Sequence, residues 1–441
     1  MSILKGFVRG VMAVGSAFRF FATAEDEDYQ RTLSFLSGGG DTGAGRKTVA
    51  GPDVNPTNAM ALPAYWACIQ AVSQDIAKMD LGLFKGNRTN KLRLDQHPIQ
   101  QLIDAPNPEM TNMTMRETLQ SWALGWGNGV AEIEWSYGGT PLGLWPIHPT
   151  RVNIERDRNS GEVVYRCYGG RDGTGGGSTV LSSSDVVHIR GMGNGVIGFS
   201  VARLAAESIG LSLAAETFGA SLFGNGAHPH GFLKHPARLS KEAYIRLKES
   251  FEKQHAGAQN ANKPILLEEN IEWVPTSINP NEAQFLETRM FQIEEICRWF
   301  RMPPHKVQHL ARSTFSNIES QAMEYVNDTL TTWAVRWEQE LARKLLPQRA
   351  GMFFKHDFKT LLRGDHAARV AYYTGLRNIG VLNADEIRAE EDYNPIAEGE
   401  GGDKYVIQVS YTELKKVGME PPTGAGPSVK VTPGKGTNAN E

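Results

Sequence analysis

The sequence has few cysteines, no basic excess and no long hydrophobic run, and each shortage excludes a class of protein. Its three cysteines, Cys68, Cys167 and Cys297, are far apart and form no metal-type pair, so we expect reduced thiols in a cytoplasmic compartment. The formal net charge is −3, which is unusual for a protein that grips nucleic acid over a large surface. No stretch of about 20 apolar residues is present, so no transmembrane span is predicted.

The ends of the chain differ in composition from its middle. Residues 1–24 alternate basic and apolar side chains, which predicts a basic amphipathic arm for a partner or a membrane face; a frayed terminus without a role is the alternative. Residues 25–57 are polar and glycine-rich and predict a linker. Residues 418–441 are rich in Pro, Gly, Thr and Asn and predict a disordered tail.

The middle of the chain predicts an α+β fold. Apolar residues have helical spacing over 61–77 and 114–126, the second helix with Thr114 as its N-cap. Between 130 and 189, short alternating segments separated by glycine turns predict an antiparallel meander. Further on, the pattern predicts helices, a compact strand–helix–strand–strand insertion over 229–277, and a long helix over 316–346.

Catalytic and metal-binding motifs fail on spacing. The segment 40–48 resembles a phosphate loop, but Arg46 displaces Lys47 by one position and the residues that follow cannot begin the required helix. The cluster of His228, His230 and His235 lacks further ligands and favours solvated loop histidines over zinc. We therefore predict no catalytic residue, no metal and no cofactor.

An ordered series of segments resembles the HK97-type portal proteins of tailed double-stranded DNA phages, or of related gene-transfer particles. The segments are Trp145–Val152, Asp185–Ile189, Gly198–Ser200, Phe223–Ala227, Glu294–Pro304, Phe315–Glu319, Arg363–Asp365 and Asn378–Arg388. Departures from the family pattern are Phe315 in place of a usual Tyr, and Asp385-Glu386 in place of Asn-Glu. The resemblance covers about residues 60–405.

The resemblance implies a portal fold with an antiparallel strand-rich wing, a helical stem, a small α/β clip, a long wing helix and a helical crown. The implied positions are 58–199 and 316–363 for the wing, 200–228 and 280–301 for the stem, 229–279 for the clip, 302–315 for a tunnel loop and 364–417 for the crown. It further implies a ring, usually of twelve subunits, that forms the DNA packaging and ejection channel at the capsid portal vertex of the virion after assembly in the host cytoplasm. The implied partners are double-stranded DNA, terminase, a head–tail adaptor, the major capsid protein and, through the N-terminal arm, a scaffold.

Two groups of cations are the candidate site residues. The tunnel loop and its edge carry the candidates for contact with DNA, Arg301, His305, Lys306, His309 and Arg312. The clip helix carries the candidates for terminase and adaptor binding, Lys241, Arg246, Lys248 and Lys253. A strongly basic lining would hold phosphates, so we expect weak, sequence-independent contact. Solvated surface cations or salt bridges between subunits are the alternative for each.

Two other functions stay open at this stage. A nucleotide-dependent DNA-packaging enzyme would need the phosphate loop that residues 40–48 fail to form. A scaffold-binding or membrane-binding assembly module would be centred on residues 1–24.

Overall fold

The chain divides into two compact units, Met1–Leu362 and Arg363–Glu441. The computed structural model describes residues 45–87, 90–169, 177–224, 231–234, 240–255, 272–275, 282–309, 315–347, 351–358, 361, 366–391 and 393–406. Both helices and antiparallel sheets are present, which confirms the predicted mixed fold.

Helices are distributed along the whole described chain. They are α1 (Pro56–Ala59), α2 (Pro63–Lys78), α3 (Pro98–Asp104), α4 (Asn112–Gly125), α5 (Val201–Leu204), α6 (Ala206–Gly224), α7 (Lys241–His255), α8 (Glu282–Trp299), α9 (Phe315–Glu324), α10 (Thr331–Leu345), α11 (His366–Asn378) and α12 (Ala384–Glu390). A π-helical segment, Tyr325–Leu330, joins α9 to α10. The helix predicted over 316–346 is therefore one continuous helical rod, with a change of winding in its middle.

All strand pairs in the described residues are antiparallel. The strands are β1 (Arg46–Lys47), β2 (Asp53–Val54), β3 (Leu81–Gly86), β4 (Lys91–Arg93), β5 (Asn128–Trp135), β6 (Pro141–Ile147), β7 (Val152–Arg156), β8 (Val163–Tyr168), β9 (Ser178–Ser182), β10 (Val186–Arg190), β11 (Gly231–Lys234), β12 (Glu272–Pro275) and β13 (Met352–His356). They pair in the orders β10-β5-β6, β7-β8-β9, β13-β3-β4, β1-β2 and β11-β12.

The predicted meander is two sheets and not one. Strands β7, β8 and β9 pair in sequence order, whereas β10 returns to lie beside β5. Strand β3 pairs with β13, with Leu81 opposite His356. A pairing so distant along the chain gives no local pattern, which is why β3 was not predicted.

Helix α2 lies at the centre of the larger unit. It buries Tyr65, Ile69, Val72 and Ile76, which are spaced to form one apolar face. That face packs against α4, α8 and the π-helical segment. On α10, Trp337 is fully buried and its indole Nε1 donates to Gln120 Oε1 at 2.8 Å. The core therefore joins elements from the first third of the chain to the long helical rod.

Helix α4 corrects one predicted detail. Its N-cap is Thr111, whose Oγ1 accepts a hydrogen bond from the backbone N of Thr114 at 3.2 Å. Thr114 is wrong as the N-cap because it already lies inside the first turn. Glu117, three residues after Thr114, accepts a hydrogen bond from Gln74 Nε2 at 3.1 Å.

The described part of the smaller unit contains α11 and α12. Asn383 caps α12 in a reciprocal capping box with Glu386. Glu391 accepts a hydrogen bond from Tyr373 at 2.7 Å and lies 2.8 Å from Arg369 Nη1, so these contacts tie the end of α12 to α11.

Candidate functional site: the turn after helix α8

A tight turn at residues 301–309, called here the docked turn, follows α8. Pro303 and Pro304 prevent the helix from continuing, and Pro304–Val307 forms a single 3-10 turn. Arg301 has φ 51° and Gln308 has φ 64°, and each left-handed, non-glycine residue costs about 1–3 kcal/mol. Contacts outside the turn must therefore hold this backbone in place.

The π-helical segment provides those contacts at the start of the turn. Thr329 Oγ1 donates to the carbonyl oxygen of Arg301 at 2.7 Å. The guanidinium of Arg301 lies 3.5 Å from Asp328 Oδ2, and both side chains are more than half exposed, so this ion pair adds little stability. The buried Thr329 is the stronger anchor of the strained residue.

The same helical rod contacts the middle of the turn. His305 Nδ1 lies 3.0 Å from Gln321 Oε1, which requires the proton on Nδ1. Lys306 Nζ lies 5.2 Å from the centroid of the Tyr325 ring, a cation–π contact. Tyr325 donates to Asp75 Oδ2 at 3.0 Å, and burial together with this carboxylate raises the pKa of the phenol. The turn is thereby linked through Tyr325 to α2.

The end of the turn faces α8. His309 Nε2 lies 3.7 Å from Glu294 Oε1, which is within ion-pair range for a protonated ring but too long for a hydrogen bond. Glu294 also lies 3.9 Å from Arg298 of the same helix. Each described cation or imidazole of the turn thus has a partner within its own chain.

The structure brings four of the five tunnel-loop candidates together on the docked turn. They are Arg301, His305, Lys306 and His309, of which Arg301 and Lys306 are the exposed ones. Arg312 lies outside the described residues. Their contact with DNA stays a prediction.

Sequence reasoning missed the partners of these side chains. Gln321, Tyr325 and Thr329 recur at a spacing of four along the helical rod, and this periodicity was the available signal. The π-helical winding places Asp328 and Thr329 beside Arg301. No repeat in the sequence predicts this winding.

The clip candidates lie on α7. Ser240 caps this helix, since its Oγ accepts a hydrogen bond from Ala243 N at 3.2 Å. Lys241, Arg246 and Lys248 are exposed, and Arg246 Nε lies 3.5 Å from the carbonyl oxygen of Glu242. Lys253 lies in the helix, but its side chain is outside the described set, as are residues 256–271 of the predicted insertion. The role of these residues stays a prediction.

Neither a phosphate loop nor a metal site is found in the described residues. After Gly45, Arg46 and Lys47 form β1, which turns at Gly51 and pairs with β2. A phosphate loop needs a helix there, so the hairpin contradicts that motif. In the described part of the chain no cluster of three or more His, Cys, Asp or Glu side chains could hold a metal ion. His228, His230 and His235 lie outside the described residues.

None of the described helices combines the length and apolar character that a bilayer crossing requires.

Comparison with known proteins finds relatives along most of the chain. The family model described as phage portal protein matches residues 63–392. The "Probable portal protein" of Streptomyces phage phiC31 is 30% identical over 393 residues, which cover 86% of this chain and 83% of that protein. The portal protein of Enterobacteria phage HK97 is 26% identical over 374 residues, covering 83% of this chain and 86% of that protein.

Solved structures share the fold. The neck of an empty gene transfer agent (GTA) particle, computed with C6 symmetry, matches with a TM-score of 0.54 at 23% identity, covering 80% of this chain and 97% of that one. The crystal structure of an HK97-family phage portal protein from Corynebacterium diphtheriae matches with a TM-score of 0.53 at 15% identity, covering 73% and 98%. At these identities the likeness concerns the fold alone.

Proposed function

The chain belongs to the phage portal protein family, and on that premise we propose that it is one subunit of a ring-shaped channel at a capsid vertex. DNA enters the particle through this channel during packaging and leaves through it during ejection. The neck of a native GTA particle computed with C12 symmetry, to which this chain is similar, supports a ring of twelve copies. Relatives named as portal proteins support a place in the virion.

The proposed arrangement assigns each part of the chain a place in the ring. Residues 58–199 and 316–363 form the wing, 200–228 and 280–301 the stem, 229–279 the clip, 302–315 the tunnel loop and 364–417 the crown. The clip docks terminase and later the head–tail adaptor through Lys241, Arg246, Lys248 and Lys253. The major capsid protein is a further proposed partner, and the N-terminal arm meets a scaffold.

The docked turn is the observation that carries the channel role. It brings the exposed cations Arg301 and Lys306 to the end of α8, where a strained backbone is held by the π-helical segment. The turn is held rigidly, and its two exposed cations have only weak interactions within the chain. This combination suits transient contact with a phosphate backbone. Asp328 and the Tyr325 ring already interact with these cations, which limits how tightly they hold DNA.

The first experiment tests the ring. The purified full-length chain is imaged by negative-stain electron microscopy, and the molecular mass of the assembly is measured in solution. We expect rings with a central hole wide enough for a duplex. A stable monomer at high protein concentration would overturn the proposal.

The second experiment tests the turn. Particles are assembled with the double variant Arg301→Ala and Lys306→Ala, and nuclease-protected DNA per particle is measured. We expect intact rings and a severalfold change in packaged or retained DNA. The matched control is Lys355→Ala, which removes an exposed lysine from β13. If the double variant packages and retains DNA as the control does, the assignment of these two residues is wrong.

A further inference from the structure

Two of the three cysteines face each other across a helix–helix junction. Cys68 on α2 and Cys297 on α8 are separated by 229 positions in the sequence, yet their sulfur atoms lie 3.9 Å apart. Both are buried, with exposures of 0% and 1%. Cys167 lies on β8 in another core cluster, where its sulfur is 3.8 Å from the carbonyl oxygen of Tyr165. The chain therefore holds one thiol pair and one isolated thiol.

The pair is chemically asymmetric. The thiol of Cys68 donates a hydrogen bond to the sulfur of Cys297, which lowers the pKa of Cys297 and, together with burial, raises that of Cys68. A thiolate is the reactive form of cysteine, so Cys297 is the better nucleophile of the two. Cys68 is placed to act as the second, resolving thiol.

A cavity lies close to the pair along the chain. Its volume is about 260 Å³, it is partly open to solvent, and it lies between α2, α6 and α8. Its walls include Ala67 and Ile296, the residues that immediately precede the two cysteines. Neutral molecules the size of water fit such a space.

We propose that Cys68 and Cys297 are a modification site that forms a reversible intrachain disulfide with a small hydroperoxide such as hydrogen peroxide. The sulfur of Cys297 attacks one peroxide oxygen, the O–O bond breaks, and one water leaves with the thiol proton. The sulfur of Cys68 then attacks the resulting sulfenic acid, the S–O bond breaks, and a second water leaves. Two thiols lose two electrons and two protons, and the peroxide is reduced to two waters.

The short distance between the two sulfur atoms favours the bond. They must approach from 3.9 Å to about 2 Å for it to form. The bond would also tie the base of the docked turn to the core, because Met302 N donates to the carbonyl oxygen of Cys297 at 2.9 Å. Formation requires conditions more oxidising than the cytoplasm.

The test uses the full-length protein treated with hydrogen peroxide, then denatured and alkylated with a maleimide. Intact-mass spectrometry counts the remaining thiols, and peptide mapping without reductant identifies the linked residues. We expect one alkylated thiol per chain, at Cys167, and a Cys68–Cys297 linked peptide that dithiothreitol removes. We also expect a higher thermal midpoint after oxidation, since the link closes a long loop in the unfolded chain.

The controls separate this pair from other thiol chemistry. Cys167→Ser keeps the link, whereas Cys68→Ser and Cys297→Ser each abolish it and leave the oxidised chain without the shift in thermal midpoint. Because a core serine can impair folding, the thiol count on the unmodified sequence decides the matter independently. Three thiols still alkylated after oxidation, a link involving Cys167 or a second chain, or oxidation of Cys297 that stops at the sulfinic acid would each overturn the proposal.

Discussion

Arg116 is a buried cation whose partners are backbone carbonyls. It is 1% exposed and its guanidinium donates to the carbonyl oxygens of Ile76, Ala77 and Met79 at 2.6, 3.2 and 2.7 Å. These groups end α2, where the helix dipole is negative. Burial lowers the pKa of Arg116 to about 10, so the side chain is still protonated at neutral pH.

Replacing Arg116 tests this role directly. Arg116→Met keeps much of the volume but leaves three buried carbonyls without donors, and we expect a loss of about 3 kcal/mol in the free energy of unfolding. Urea denaturation measures the loss. The matched control is Arg166→Met, which removes an arginine that is paired with Glu155 at the surface. Equal midpoints for the two variants would contradict the proposed cap.

His188 is a second buried polar residue, and its proton can be placed. Asn128 Oδ1 accepts from Gly198 N at 2.8 Å and lies 3.0 Å from His188 Nε2, so Nε2 carries the hydrogen. Nδ1 then accepts from the hydroxyl of Tyr165 at 3.0 Å. Burial, followed by the charges of Arg190 and Lys344, holds the pKa of His188 well below its ordinary 6.5.

This histidine predicts a loss of stability in acid. In the unfolded chain His188 takes up a proton below its ordinary pKa, while the folded chain excludes it, so its stabilising effect is present above that pH and falls as the pH decreases. We expect His188 to contribute about 1 kcal/mol of loss on going from neutral pH to about pH 5.5. In His188→Gln, the free energy of unfolding measured by urea denaturation should depend less steeply on pH. Tyr165→Phe, which retains the imidazole, should keep the steeper dependence; identical slopes in both variants would refute the assignment.

At the scale of elements, the π-helical segment decides what the docked turn contacts. A π-helical turn shifts the register of the residues that follow it, and such segments are often found at functional sites. Here the shift places Thr329 beside Arg301 while Trp337 and Leu341 stay in the core. One segment therefore serves both the core and the turn.

A substitution at Thr329 tests whether its hydrogen bond holds the docked turn. Thr329→Val keeps the shape of the side chain but removes the donor to the carbonyl oxygen of Arg301, so we expect about 1 kcal/mol of destabilisation. In this variant the rate of backbone hydrogen exchange should increase more at residues 301–309 than in the rest of the chain. Thr332→Val is the matched control, because its hydroxyl bonds to Asp328 within the same helix. Unchanged exchange at the turn in Thr329→Val would show that the hydroxyl does not hold it.

An element could be predicted from the sequence when the residues that determine it lie close together along the chain. The apolar faces of α2 and α10 are local repeats, and the sequence analysis found both helices. The N-cap of α4 was misassigned because Thr111 and Thr114 are both residue types that cap helices, and the helix begins one turn earlier than predicted. Strand β3 pairs with β13 far along the chain, which leaves no local pattern. The partners of the docked turn left only the spacing of four between Gln321, Tyr325 and Thr329.

At the scale of the whole molecule, charge agrees with the proposed channel. A conduit must release DNA, and affinity for a phosphate backbone rises with each cation that displaces counterions. The net charge of −3 and the pairing of Arg301 with Asp328 both limit that affinity. In the proposed channel role the protein need not be basic, because weak contact with phosphates lets DNA pass.

Removing an acid should therefore strengthen DNA binding. Asp328→Asn frees Arg301 for a phosphate, so we expect rings of unchanged size that bind duplex DNA more tightly, equally for unrelated sequences. The slope of log affinity against log salt should steepen by about 0.9 for each added phosphate contact. Fluorescence anisotropy over a salt series measures the slope. Glu162→Gln removes one charge beside β8 and serves as the control; if both variants bind DNA with the same affinity and slope, net charge and not Arg301 sets the interaction.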